Sequence, residues 1–155
     1  MARRKQRWSA GDVFTIPLID GSFSVGQVVT PAPGALNSVV CTFSSKRLLE
    51  KISPIDAPDV SSVIAIRFVS RDLLDSWRWE VSGYASNTWA AQRIDFQALE
   101  RKGFVGVEIT GSANIVSLMN AFHGLAPWNK FYDPLYLDKL LLSPELKPAK
   151  VMLIQ

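Results

Sequence analysis

The chain has little of what most enzymes and metalloproteins need. It holds one cysteine, Cys41, and one histidine, His123. A single cysteine excludes an internal disulfide. A lone histidine without Cys, Asp or Glu at ligand spacing is a poor metal or triad residue, and its expected role is structural. There is no H-E-x-x-H, C-x-x-C or G-x-S-x-G. Gly103, Gly106 and Gly111 surround a predicted strand without the spacing of a phosphate-binding loop. The carboxylates are scattered, with Asp56 and Asp59 in a proline-rich loop and Asp72 and Asp75 in a connection. No apolar run approaches the ~18–20 residues of a membrane-spanning helix. The opening MARRKQRW is basic, but no apolar segment follows it, so it does not read as a signal peptide. The expectations are therefore no catalytic set, no cofactor, no metal and a cytoplasmic location.

What is present suits a globular domain. The 155 residues are 48% hydrophobic and 20% charged, within the usual size of one domain. Lys and Arg number 17 against 14 Asp and Glu. Four of the positive residues, Arg3, Arg4, Lys5 and Arg7, lie at the start. Without them 13 basic residues face 14 acidic ones, a net of −1. Residues 1–10 thus read as a basic arm and 11–155 as a single near-neutral α+β domain. Such an arm attracts RNA, DNA or an acidic surface, or is a solvated tail.

The stretch GDVFTIPLIDGSFSVGQVV, Gly11 to Val29, reads as a β-hairpin. Residues alternate on both sides of Ile19-Asp20-Gly21, whose glycine suits positive φ. Pro17 has no N–H for a ladder, which predicts an edge position for the hairpin. Gly26 predicts a bend or a close backbone approach. After a Pro- and Gly-rich turn, Ser38 to Phe43 is predicted as a central strand, with Cys41 a small buried hydrophobe. Lys46 to Ile52 is predicted as a helical turn or two. Val63 to Val69 is a buried strand whose one charge, Arg67, needs an edge, a partner or water.

Alternation next puts Trp77, Trp79 and Val81 on one face of a strand ending at Gly83. Two such tryptophans form either a stacking platform or core, with Trp79 the firmer core residue. Trp89 lies in an irregular stretch, as a cap over the core or as a contact residue. Asp95 to Lys102 is predicted as a short helix and Phe104 to Ile109 as a strand. Ser112 to Gly124 is the clearest helix, capped by Ser112, with Ile115, Leu118, Met119 and Phe122 on one face. His123 in its last turn would favour the helix terminus when charged. Asp133 and Pro134 predict the start of a last helix bearing Leu137, Leu140 and Leu141. Val151 to Ile154 is predicted as a final strand. The buried set is predicted to be Phe14, Ile16, Val40, Ile64, Ile66, Trp79, Val81, Val107, Leu118, Phe122 and Leu137. The fold expected is a mostly antiparallel, curved sheet with a few short helices.

Three stretches resemble one family. Gly11-Asp12, Ile16-Pro17-Leu18, Asp20-Gly21 and Gly26 are similar to the opening of bacterial polymorphic-toxin immunity proteins of the immunity-protein-26 type. An apolar strand followed by Trp79, Val81 and Gly83 is similar to the family's middle. Trp128, Tyr132-Asp133-Pro134, Leu137-Asp138 and Leu140 resemble its terminal helix. The segment before Ile109 departs from the family in being shorter and mixed in charge. The resemblance implies a protein that binds and neutralises a cognate toxin domain stoichiometrically and turns over nothing.

Binding surfaces draw on aromatic and Arg anchors, and the chain has five Trp. Loop placement nominates Trp89 and Arg93, then Trp128. Arg3, Arg4, Lys5 and Arg7 are the candidates for contact with nucleic acid or an acidic surface. GDVFTIPL is also similar to the opening of small-barrel endoribonuclease toxins of the PemK type. The Arg-Pro expected there after the first hairpin is replaced here by Val39-Val40-Cys41. A nucleic-acid-binding module using the arm is a further alternative.

Overall fold

A computed structural model describes residues 4–31, 37–86, 88–93, 96–103 and 107–155. In chain order the strands and helices are β1 (Asp12–Pro17), β2 (Phe23–Pro31), β3 (Ser38–Leu48), β4 (Val63–Ser70), α1 (Asp72–Asp75), β5 (Glu80–Tyr84), α2 (Thr88–Gln92), α3 (Phe96–Arg101), β6 (Ile109–Thr110), α4 (Ser112–Phe122) and α5 (Tyr136–Leu140). One six-stranded sheet runs β5-β1-β2-β3-β4-β6. All its pairings are antiparallel except β4 with β6. Register shifts at Val13/Phe14, Ser24/Gly26 and Phe43/Ser44 are bulges of the kind that bend a sheet. The α+β class read from the sequence is the class observed.

The hairpin forms as read, and Gly21 adopts φ +87 in its turn. It is not at the edge, however, because β5 pairs outside it. Pro17 is tolerated there because β5 stops opposite Thr15, so no neighbour needs the missing N–H. Gly26 is a close approach. A Cβ at that position would stand 2.6 Å from the Phe14 ring.

Both faces of the sheet are covered. One carries the main core: Phe14 and Ile16 of β1, Cys41 and Phe43 of β3, Leu74 of α1, Ile115 and Leu118 of α4 and Leu137 of α5. The other face bears two smaller clusters. Val13 and Val25 pack with Ile55, while Val29 and Val40 pack with Ala90 of α2. Burial pushes the Cys41 thiol pKa far up, consistent with its reading as a hydrophobe. Of the predicted core, Phe14, Ile16, Val40, Ile64, Trp79, Leu118 and Leu137 are buried. Ile66, Val81, Val107 and Phe122 are only half-buried.

Several elements differ from the sequence reading. Lys46 to Leu48 continue β3 instead of turning helical, because Arg47 and Leu48 pair with Ser24 and Phe23. Trp77 does not share a strand with Trp79. It sits in a turn at φ +70, and the strand begins at Glu80. The strand expected from Phe104 lies partly outside the described residues, and only Ile109–Thr110 is paired. The terminal strand reduces to one bridge between Pro127 and Met152. The last helix begins at Tyr136, with Asp133 holding the turn before it by accepting from the Leu135 amide at 2.9 Å. Arg67 reaches the β6 edge as required, donating to Thr110 Oγ1 at 3.2 Å with Glu108 3.8 Å away.

Gly111, not Ser112, caps α4. Ser112 is the first helical residue, and its hydroxyl donates to Asp72 at 2.6 Å. Gly124 at φ +76 follows the helix end. His123 there is not the stabilising cation expected. Burial lowers its pKa below 6.5, and the Arg47 guanidinium lowers it further against an opposing pull from Asp20. The folded protein thus binds a proton at His123 less readily than the unfolded chain does. Its neutrality contributes stability that is full above pH 6.5 and lost as pH falls toward the lower folded value. Urea unfolding at pH 7.5 and 5.5 is expected to give lower stability at pH 5.5. His123→Gln should flatten that difference, and an unchanged pH slope in the variant would contradict it.

Candidate functional site

The connection from β4 to β5 must reverse the chain within a few residues. One turn of helix, α1, is followed by Trp77 at positive φ and then by Trp79 dropping into the core. Positive φ at a bulky residue costs roughly 1–3 kcal/mol and persists only where its surroundings hold it. So tight a reversal leaves backbone groups that the sheet ladder does not reach.

Gln6 satisfies them. Its amide Nε2 donates to Leu74 O and to Trp79 O, both at 2.8 Å. Its Oε1 accepts from the Val81 amide at 2.8 Å. Its backbone N–H donates to Asp75 O at 2.9 Å. The side chain thereby uses both its N–H groups and its oxygen, and Gln6 is only 5% exposed.

Neighbouring residues fasten the arm on either side. The Trp77 indole N–H donates to Arg4 O at 2.6 Å. The Trp8 indole N–H donates to Asp75 Oδ1 at 2.9 Å. Arg71 bonds the other oxygen of Asp75 at 3.1 Å and lies 4.9 Å over the Trp8 ring. The arm is therefore not a tail over residues 4–8. It is a segment docked beside α1 and β5.

Alternation along this segment sorts its side chains. Gln6 points in and Trp8 packs at half-burial, while Arg4, Lys5 and Arg7 are exposed. Arg3 lies outside the described residues. Three surface grooves meet at Lys5. The largest, about 620 Å³, is lined by Lys5, Gln6, Arg7, Trp8, Pro31 and Arg71. The other two run toward Trp77, one past Asp72, Asp75 and Ser76, the other past Arg4 and Val81. Asp72 feels burial that raises its pKa, but the Ser112 and Ser70 hydroxyls and the amides of its own helical turn outweigh it. The net shift is downward, so Asp72 stays an anion.

The other nominated residues fare differently. Trp89 and Arg93 do come together on and just after α2, with the guanidinium 4.7 Å over the indole. Trp89 is half-buried and packs with the Val29 and Val40 cluster on the second face of the sheet, while Arg93 is exposed. Trp128 is corrected from a contact residue to core. It is 1% exposed, and its indole donates to Asp138 at 2.5 Å. It belongs to the main core, on the opposite side of the sheet from Trp89.

Gln6 was missed as a functional residue because it stands in a run of charges. The signal was there in the alternation of Gln6 and Trp8 with Lys5 and Arg7. Tyr132, of the Tyr132-Asp133-Pro134 stretch, is fully exposed ahead of α5. Among the described residues no three His, Cys, Asp or Glu side chains are grouped to hold a metal ion, and no helix is long and apolar enough to cross a membrane. No family model, curated protein or solved structure matches this chain.

Proposed function

We propose that this protein is an immunity factor that binds a cognate bacterial toxin domain in the cytoplasm and neutralises it by stoichiometric occlusion. The observation that carries the reading is the docked arm. Arg and Trp are the commonest anchors of protein interfaces. A cationic segment already fastened at Gln6, Trp8 and Trp77 loses little conformational freedom on binding, which favours affinity. The three-part sequence resemblance supplies the class of partner. The chemistry asked of the chain is recognition alone, so no residue is assigned a catalytic role.

The reading predicts a toxin gene beside this one, and the test is co-expression with the toxin domain it encodes. Growth is expected to be rescued, and rescue is expected to survive Cys41→Ser. Absence of rescue, or cleavage of RNA by the purified protein alone, would contradict the reading.

A second reading, nucleic-acid contact, rests on the same exposed Arg4, Lys5 and Arg7. It requires a gel shift that weakens steeply with salt. Deleting the arm is the wrong test for it, because the deletion also removes Gln6. The double variant Lys5→Glu/Arg7→Glu is the appropriate one. A gel shift with the intact protein that this variant abolishes would favour the second reading.

A further inference from the structure

We infer that the arm face around Lys5 is the surface that seats the partner, and that the partner presents an acidic, folded protein surface to it. The inference rests on the immunity reading and adds to it the place and chemistry of contact. Charge points there first. The arm holds the residues that turn a body of −1 into a chain of +3. Arg4, Lys5 and Arg7 are exposed on it, while Arg71 beside them is paired with Asp75 at 3.1 Å. A net positive field concentrated on one face steers an acidic partner to that face.

The geometry then separates protein from nucleic acid. Asp72 and Asp75 line the groove between Lys5 and Trp77. A phosphate chain laid along that groove would pass over the exposed Asp72 carboxylate as well as Lys5, Asp75 being already paired with Arg71. A folded protein surface can set carboxylates against Lys5 and Arg7 and hydrogen-bond donors against Asp72. Stacking is also restricted. One face of the Trp8 ring is covered by the Arg71 guanidinium, 4.9 Å above it. A single-strand binder instead offers open aromatic faces along a continuously basic track.

The experiment measures affinity for the catalytically inactivated toxin domain from the neighbouring gene, with a twenty-nucleotide oligothymidylate as the competing probe. Lys5→Glu/Arg7→Glu is expected to weaken toxin binding at least about tenfold, and added salt should weaken wild-type binding. Lys102→Glu/Lys150→Glu makes the same net charge change elsewhere and should alter affinity less than about threefold. Lys5→Gln/Arg7→Gln should give an intermediate loss, and it preserves the test if the charge reversal disturbs folding. Toxin binding that survives both arm variants would overturn this surface while leaving the immunity reading intact. No binding by the wild-type protein would overturn that reading and the surface with it. Tighter arm-dependent binding of the oligothymidylate than of the toxin domain would assign the face to nucleic acid and overturn the inference.

Discussion

Trp79→Ala is expected to lower the unfolding free energy by about 3–5 kcal/mol, the usual range for truncating a buried aromatic. The side chain is 1% exposed at the centre of the main core. Its ring stacks on Phe14 at 5.2 Å and meets Phe43 edge-on at 5.8 Å. Phe14 and Phe43 also touch edge-on, at 6.3 Å, so the three rings form a closed group. Removing one leaves a cavity beside two rings whose strands are paired in the middle of the sheet and cannot collapse inward. Gly26 forms the other wall behind Phe14, which keeps that ring from shifting without backbone movement. A domain of this size has about 5–15 kcal/mol in total, so the loss is a large share of it. Trp79→Phe should lose less, since a ring remains to stack. Guanidinium unfolding monitored by circular dichroism measures both. An unchanged midpoint for the alanine variant would show that the ring is not core.

Gln6→Leu is expected to cost about 2–6 kcal/mol, at roughly 1–3 kcal/mol for each of the two buried polar groups it leaves without a partner. Leucine fills similar space but offers nothing to Trp79 O or the Val81 N–H, while Leu74 O keeps the Trp77 amide at 3.3 Å. Gln6→Glu should be comparably damaging, because it would aim a carboxylate oxygen at carbonyls that now receive N–H donors. Gln6→Ala should cost less, since it opens a path for water to reach those groups. Hydrogen exchange gives the local readout: the Val81 amide should exchange faster in the leucine variant. If the midpoint and the Val81 exchange rate both stayed at wild-type values, the arm would not be docked as described. Under the proposed function the same variant should also weaken toxin binding, because a released arm must be ordered again on association.

The parts of this fold that were legible in the sequence are those set by local chemistry. The first hairpin was legible because alternation and an Asp-Gly turn act within a few residues. Helix α4 was legible because its apolar residues repeat at helical spacing. Residues 46–48 were not, since Lys-Arg-Leu-Leu-Glu-Lys has local helical character and only pairing with β2 makes the segment extended. Alternation predicts Trp77 on a strand, while the tight reversal after α1 turns its backbone to positive φ. The hairpin's place inside the sheet was hidden because Pro17 signals an edge unless the neighbouring strand stops short of it. Trp128 looked like a loop anchor, and only the return of Asp138 and α5 beside it shows that it is enclosed. The candidate site was half legible. Its cations stood out in the first residues, but their anchoring depends on Gln6 meeting residues more than sixty positions away.

Under the proposed function the protein acts by occupying its partner, one molecule for one. The most direct measurement titrates the purified protein into a fixed amount of active toxin domain and follows the toxin's residual activity. A straight fall to zero at one equivalent is expected, unchanged by longer preincubation. Complete neutralisation by a small fraction of an equivalent, deepening with time, would mean turnover and would contradict it.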